Sequence, residues 1–128
     1  MDYQKAAELR LSVKANPDNP DIVREAAEYF LSVELYEEAL IYWTDYNLLV
    51  GGDADAHKII GALKGRNGNH QKAKEHFEKA LTLRADDADT HYNLSLTLLN
   101  LGDIAGSINH LTESVKLHPE DLTAWNNL

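Results

Sequence analysis

The 128-residue sequence contains no cysteine, three prolines, one methionine and only 8% aromatic residues. The absence of cysteine excludes disulfides, thiolate metal sites and cysteine nucleophiles, and is compatible with a reducing compartment. Bases are scarce as well: 12 Lys and Arg stand against 21 Asp and Glu, a formal net charge of -9. Such a balance opposes nucleic-acid binding, which relies on Lys and Arg to neutralise phosphates. No apolar run approaches the ~20 residues that span a bilayer as a helix. The polar opening MDYQKAAELR is not a secretory signal. No membrane partner is therefore expected, and a cytoplasmic location is. A phosphate-binding loop is missing too, because GALKGRNG from Gly61 to Gly68 lacks the terminal Gly-Lys-Ser/Thr and follows no strand. Serines have no base and orienting acid that the sequence can identify. Acids such as Glu25, Glu28, Glu37 and Glu38 have no enclosed pocket to shift their titration. Neither catalysis nor a cofactor is expected.

What is present is helical periodicity. From Ala88 to Pro119, Tyr92, Leu94, Leu98 and Leu101 recur at helical spacing, Gly102-Asp103 interrupts, and Ile104, Ile108, Leu111, Val115 and Leu117 resume before Pro119. Shifting the sequence by 34 places lays Ala54–Asp87 on Ala88–Asp121, with Asp55 on Asp89, His57 on His91, Gly68 on Gly102, His76 on His110 and Leu83 on Leu117. A helical pair at this period marks a repeat array.

At these residues the chain resembles the tetratricopeptide-repeat family. That family opens its first helix with an aromatic, follows with a Leu-small pair, turns on Gly, places Ala and an aromatic on the second helix and closes with Pro. Here the opening position is held by His57, His91 and Trp125, the Leu-small pair by Ile60-Gly61 and Leu94-Ser95, and the turn by Gly68 and Gly102. Second-helix matches are Ala39 with Trp43, Ala73 with Phe77 and Ala80, and Ser107 with Leu111 and Ser114; Pro17 and Pro119 supply closures. The resemblance implies an all-α, right-handed α-solenoid of helix-turn-helix repeats with about seven helices. Residues 1–128 form one array in that reading: the second helix of a preceding repeat at 2–19, repeats at 20–53, 54–87 and 88–121, and the start of a fourth at 122–128. A half-repeat at each end suggests a fragment of a longer chain.

In chain order, the first helix is expected to turn Ala6, Ala7, Leu9 and Val13 inward. The repeat at 20–53 is the most divergent, with Glu34 where the turn glycine belongs and Gly51-Gly52 in place of the closing proline. Its second helix is rich in Tyr36, Tyr42, Trp43 and Tyr46, rings that either fill the space between helices or form a contact patch. In the next repeat Gly61 and Gly65 weaken the first helix but permit close approach of another. Lys64 takes a place usually apolar, so that helix is expected to be the softest.

The six histidines invite a metal reading. Matched residues one repeat apart, His57 with His91 and His76 with His110, would be roughly 10 Å from each other. That is too far for one zinc ion with ligands at about 2 Å. His70 and His76 lack the i, i+4 spacing of a helical metal pair. No metal site is expected.

In the resembled family, first helices line a concave groove that receives a peptide or partner helix. The groove residues carried over are Arg24 and Glu28 in the first repeat, Lys58 and Arg66 in the second, Tyr92, Asn93 and Asn100 in the third, and Asn126 and Asn127 beyond, with Ala62 and Leu96 among their neighbours. Asn93 and Asn127 hold equivalent places, where asparagines in some members grip the main chain of a bound segment by donating and accepting at once. An ordinary polar surface role is the alternative reading. Another branch of the family clamps the acidic tail of chaperones with Lys, Asn and Arg. The matching positions here include Glu28, Ile59 and Asp89, and the two acids would repel such a tail. The expected function is a non-catalytic protein–protein interaction module for a protein or peptide ligand. Self-association through open repeat ends as a scaffold, or service as the regulatory arm of a larger enzyme such as a glycosyltransferase or methyltransferase, are the alternatives.

Overall fold

The computed structural model describes residues Met1–Pro119. Among them are seven α-helices and no strand: α1 (Tyr3–Ala15), α2 (Pro20–Ser32), α3 (Tyr36–Leu49), α4 (Ala54–Arg66), α5 (His70–Leu83), α6 (Ala88–Asn100) and α7 (Ile104–Leu117). The fold is the all-α class of helical repeats. Two compact units are distinguished, Met1–Ala56 and His57–Leu128. No helix among the described residues is long and apolar enough to cross a membrane.

Short polar side chains start the helices by taking up backbone N–H groups that lack an intrahelical partner. Asp2 accepts from Lys5 N, Asn19 from Asp21 N ahead of a well-placed Pro20, Asn69 from Lys72 N and Asp103 from Gly106 N. Asp53 serves α4 in the same way, accepting from Ala56 N at 2.9 Å. Helix α3 has Leu35 at its N-cap and no side-chain cap. The turns after α2, α3, α4 and α6 share one closure, in which an amide reaches back five residues: Leu35 N to Phe30 O, Gly52 N to Asn47 O, Asn69 N to Lys64 O and Asp103 N to Leu98 O, all at 2.8–2.9 Å. Such a closure needs a left-handed residue before it. Gly51, Gly68 and Gly102 supply it at φ +75, +82 and +85, whereas Glu34 supplies it at φ +64.

In the first unit, α1 packs on α2 and α2 on α3. Ala26, Ala27 and Ala39 allow close approach around the buried Val23, Phe30 and Trp43. The aromatic residues of α3 fill the interior: Tyr42 stacks on Phe30 at 5.5 Å, Tyr46 meets Trp43 edge to face at 5.8 Å, and Trp43 is 1% exposed. Arg10 lies over the Phe30 ring and forms a two-pronged ion pair with Glu38 of α3. Within α1, Ala6 and Leu9 are buried as expected and Val13 is half-buried, but Ala7 is exposed. Only the side of α1 that meets α2 is covered, so a neighbour one position round the helix stays in solvent.

In the second unit, Ala73 and Phe77 of α5 join Leu94 and Leu98 of α6 in one cluster, while Leu111 and Val115 of α7 form another. The Ser114 hydroxyl donates to Ala88 O at 3.0 Å, tying α7 to the start of α6. Of the apolar series along α7, Ile104 and Ile108 are 63% and 54% exposed. They lie off the face that packs on α6.

Candidate functional site

The expected groove residues are placed by three helices. On α2, the Arg24 guanidinium donates to Glu28 Oε1 at 2.7 Å and to the Tyr46 hydroxyl at 3.0 Å, and it lies over the Trp43 and Tyr46 rings. Those hydrogen bonds raise the Arg24 pKa further above its ordinary value. Arg24 is thus anchored and partly neutralised, with Glu28 as its exposed counter-charge.

On α4, Lys58 Nζ lies 3.1 Å from Asp87 and 3.6 Å from Asp89. Asp87 is itself the cap of α6, accepting from Asp89 N, Thr90 N and the Thr90 hydroxyl. Burial pushes the Asp87 carboxyl up, but the Thr90 and Lys58 hydrogen bonds outweigh it and hold the group below its usual range. Lys58 therefore braces α4 against α6. Arg66 is exposed at the last position of α4.

On α6, Tyr92 turns toward α7 and packs on Leu111 and Val115. Asn93 and Asn100 line a depression of about 220 Å³ together with Leu96 and Thr97, and Gly61, Ala62 and Gly65 form its opposite wall, with His70 and Phe77 from α5. The structure thus brings Asn93 and Asn100 together, along with Ala62 and Leu96. Asn126 and Asn127 lie outside the described residues.

The two wall glycines differ. A Cβ on Gly61 would come within 2.9 Å of the Phe77 ring, so the absent side chain is what lets Phe77 seat against α4. A Cβ on Gly65 would meet only Ala73 Cβ at 3.6 Å, an ordinary contact. Glycine inside a helix costs about 1 kcal/mol relative to alanine, and at position 65 packing does not require it.

The sequence reading missed one arrangement. His57 Nδ1 meets His76 Nδ1 at 3.0 Å, and His91 Nδ1 meets His110 Nδ1 at 3.0 Å. Ring centroids are 5.3 and 5.2 Å apart, a separation that the nitrogen gap and two ring radii account for, so the nitrogens meet nearly head-on. One nitrogen must donate and the other accept. His91 Nε2 lies 2.9 Å from Ala85 O, which only accepts; that nitrogen carries the proton, and His91 Nδ1 receives the one on His110. Burial, then the facing imidazole, lowers the pKa of His76 to about 4 and lowers that of His110. The signal is present in the sequence, since the two members of each pair are separated by 19 residues and the pair recurs at the repeat period. No group of three or more metal-binding side chains occurs among the described residues.

A profile of the tetratricopeptide repeat matches residues 53–128. No curated protein matches the chain by sequence. Among solved structures, a crystal structure of MamA is 20% identical with a TM-score of 0.87, covering 94% of this chain and 70% of its own. YrrB, a TPR protein with an unusual peptide-binding site, is 24% identical with a TM-score of 0.79, over 93% of this chain and 61% of its own. A further MamA structure, AMB-1, is 16% identical with a TM-score of 0.83, over 96% of this chain and 67% of its own. The chain thus spans roughly two thirds of the length of these structures.

Proposed function

The chain belongs to the tetratricopeptide-repeat family, and we propose that it is a non-catalytic protein-interaction module holding a peptide or partner helix on its first helices. The family consists in general of non-catalytic interaction modules. In this reading residues 1–128 are one array, with repeats at 20–53, 54–87 and 88–121; Arg24 and Glu28 of α2 are the candidates in the first unit, and Lys58 and Arg66 of α4 with Tyr92, Asn93 and Asn100 of α6 are those in the second, Asn126 and Asn127 lying outside the described residues. The observation that carries it is the depression between α4 and α6, where Asn93 and Asn100 place two side-chain amides on one wall. An amide can donate to a carbonyl and accept from an N–H of an extended segment together. YrrB supports the reading by analogy, as a protein of this fold with a peptide-binding site.

The roles within the site are unequal. Lys58 and Arg24 are tied to carboxylates and contribute a set shape more than free charge. Tyr92 contributes the edge left over from its packing on α7. The test is to replace Asn93 and Asn127, and separately Asn100, with Ala and to titrate peptides selected from a random library. Affinity is expected to fall about tenfold, the loss of one or two well-made hydrogen bonds, with the melting temperature nearly unchanged. Unaltered affinity would remove these asparagines from the site.

A further inference from the structure

We infer that His91 and His110 form a binding site for one divalent transition-metal cation of the zinc class, held between α6 and α7 with water completing its coordination. Neither ring lines the depression between α4 and α6, so the site does not depend on how that surface is used. It follows from the spacing of two imidazole nitrogens, the hydrogen bond behind one of them, and the charges around the pair.

The Nδ1 atoms of His91 on α6 and His110 on α7 are 3.0 Å apart. Two nitrogens that ligate one zinc ion at about 2.0–2.1 Å in a tetrahedral arrangement lie roughly 3.3 Å from each other. A cation can therefore replace the shared proton with a small increase in separation and a turn of the His110 ring that brings both lone pairs onto one point. His91 is buried and His110 only half-buried, so the ring that must turn is the one with room to do so. The separation of roughly 10 Å that keeps matched histidines of successive repeats off one ion does not arise between two helices of the same repeat.

Behind His91, the Nε2–H donates to the Ala85 carbonyl oxygen at 2.9 Å. That bond keeps the His91 proton on the far nitrogen and leaves the Nδ1 lone pair directed at His110. Metal-ligating histidines have this arrangement, because an acceptor behind the ring fixes both its tautomer and its orientation. His110 reaches the matching state when its proton moves through solvent from Nδ1 to Nε2. Loading the cation therefore releases no proton from either ring.

The surroundings separate this pair from its counterpart. Glu78 of α5, Glu113 of α7 and Asp103 at the cap of α7 lie near His110. Lys116 is 3.4 Å from Glu113, and with that charge counted the balance stays negative. His57 and His76 repeat the nitrogen spacing at 3.0 Å, but Lys64 and Lys79 lie near them with Glu75, which Lys72 approaches to 3.4 Å. A cation is thus attracted at one pair and repelled at the other. With the same geometry in the opposite field, His57–His76 is an internal control.

The test is calorimetric titration of the full chain with Zn²⁺ near pH 7, beside His110→Gln and His76→Gln, each checked for folding by circular dichroism. The parent should bind one Zn²⁺ per chain. His110→Gln should lose about tenfold or more in affinity, whereas His76→Gln should bind as the parent does. In nitrogen-resolved magnetic resonance of the parent, Nδ1 of both His91 and His110 should shift on adding Zn²⁺ while Nε2 of His91 keeps its proton. Ca²⁺, which takes oxygen ligands, should move neither. Absence of binding, binding that His110→Gln leaves unchanged, an equal loss with His76→Gln, or a response to Ca²⁺ matching that to Zn²⁺ would each overturn the inference.

Discussion

Glu34 adopts a backbone conformation that the turns after α4 and α6 assign to glycine. At φ +64 its Cβ crowds the following carbonyl, while Gly68 and Gly102 have no Cβ to crowd. The left-handed region costs a residue with a side chain roughly 1 kcal/mol or more. Because Glu34 is exposed and its amide already closes the turn to Leu31 O, Glu34→Gly should retain the hydrogen bonds and raise stability by about 0.5–1 kcal/mol. A thermal melt should show a rise of a few degrees. The glycines of α4 make the opposite comparison within one helix. Gly61→Ala should destabilise by about 1–3 kcal/mol, since Phe77 is 2% exposed and cannot move away freely. Gly65→Ala should stabilise by up to about 1 kcal/mol. Parallel urea titrations of the two variants test both signs at once.

Among the helices, α6 depends most on a single side chain. Asp87 caps its first turn, accepts the Thr90 hydroxyl and receives Lys58 from α4, so one carboxylate both starts a helix and holds its neighbour. Asp87→Ala should cost about 1–2 kcal/mol, more than Asp103→Ala at the exposed cap of α7. Denaturant midpoints of the two variants would establish the order. The helices themselves were legible because their evidence is local: an apolar stripe, a capping Asp or Asn, a turn glycine. Which part of a stripe is covered was not legible. Ala7, Ile104 and Ile108 satisfy the helical period as well as Ala6 and Leu111 do, yet they are exposed because coverage depends on where a neighbouring helix lies. The site shows the same division. Asn93 and Asn100 could be placed on one helix face from their spacing, whereas the direction of the Tyr92 ring is set by α7, and the contrast between Gly61 and Gly65 is set by Phe77 and Ala73 of α5.

At the scale of the whole molecule the two histidine pairs make stability depend on pH. His76 faces His57 with Lys64, Lys79 and Glu75 nearby; His110 faces His91 with Glu78, Glu113 and Asp103 nearby. The pKa of His76 is lowered to about 4, against 6.5 for the free side chain. Above pH 6.5 its full contribution is present. As pH falls from there toward 4, the unfolded chain takes up a proton that the folded ring refuses, and stability declines. His110 shifts in the same direction and adds to the decline. A loss on the order of 1–2 kcal/mol is expected across this window, allowing for the half-exposed setting of both rings. Melting temperatures measured from pH 7 to pH 4 should fall, and the double variant His76→Gln/His110→Gln should flatten the curve. A curve of the same slope in parent and variant would locate the dependence elsewhere. Below that window Asp87, whose pKa is depressed, adds its own loss as it protonates.

The hydrogen bonds that join His91 to His110 also make the two rings chemically unequal. With both nitrogens of His91 committed, one to the Ala85 carbonyl and one to its partner, the remaining lone pair of the couple resides on Nε2 of His110. An acylating reagent that seeks an unprotonated imidazole nitrogen would find its target on one side of the couple and none on the other.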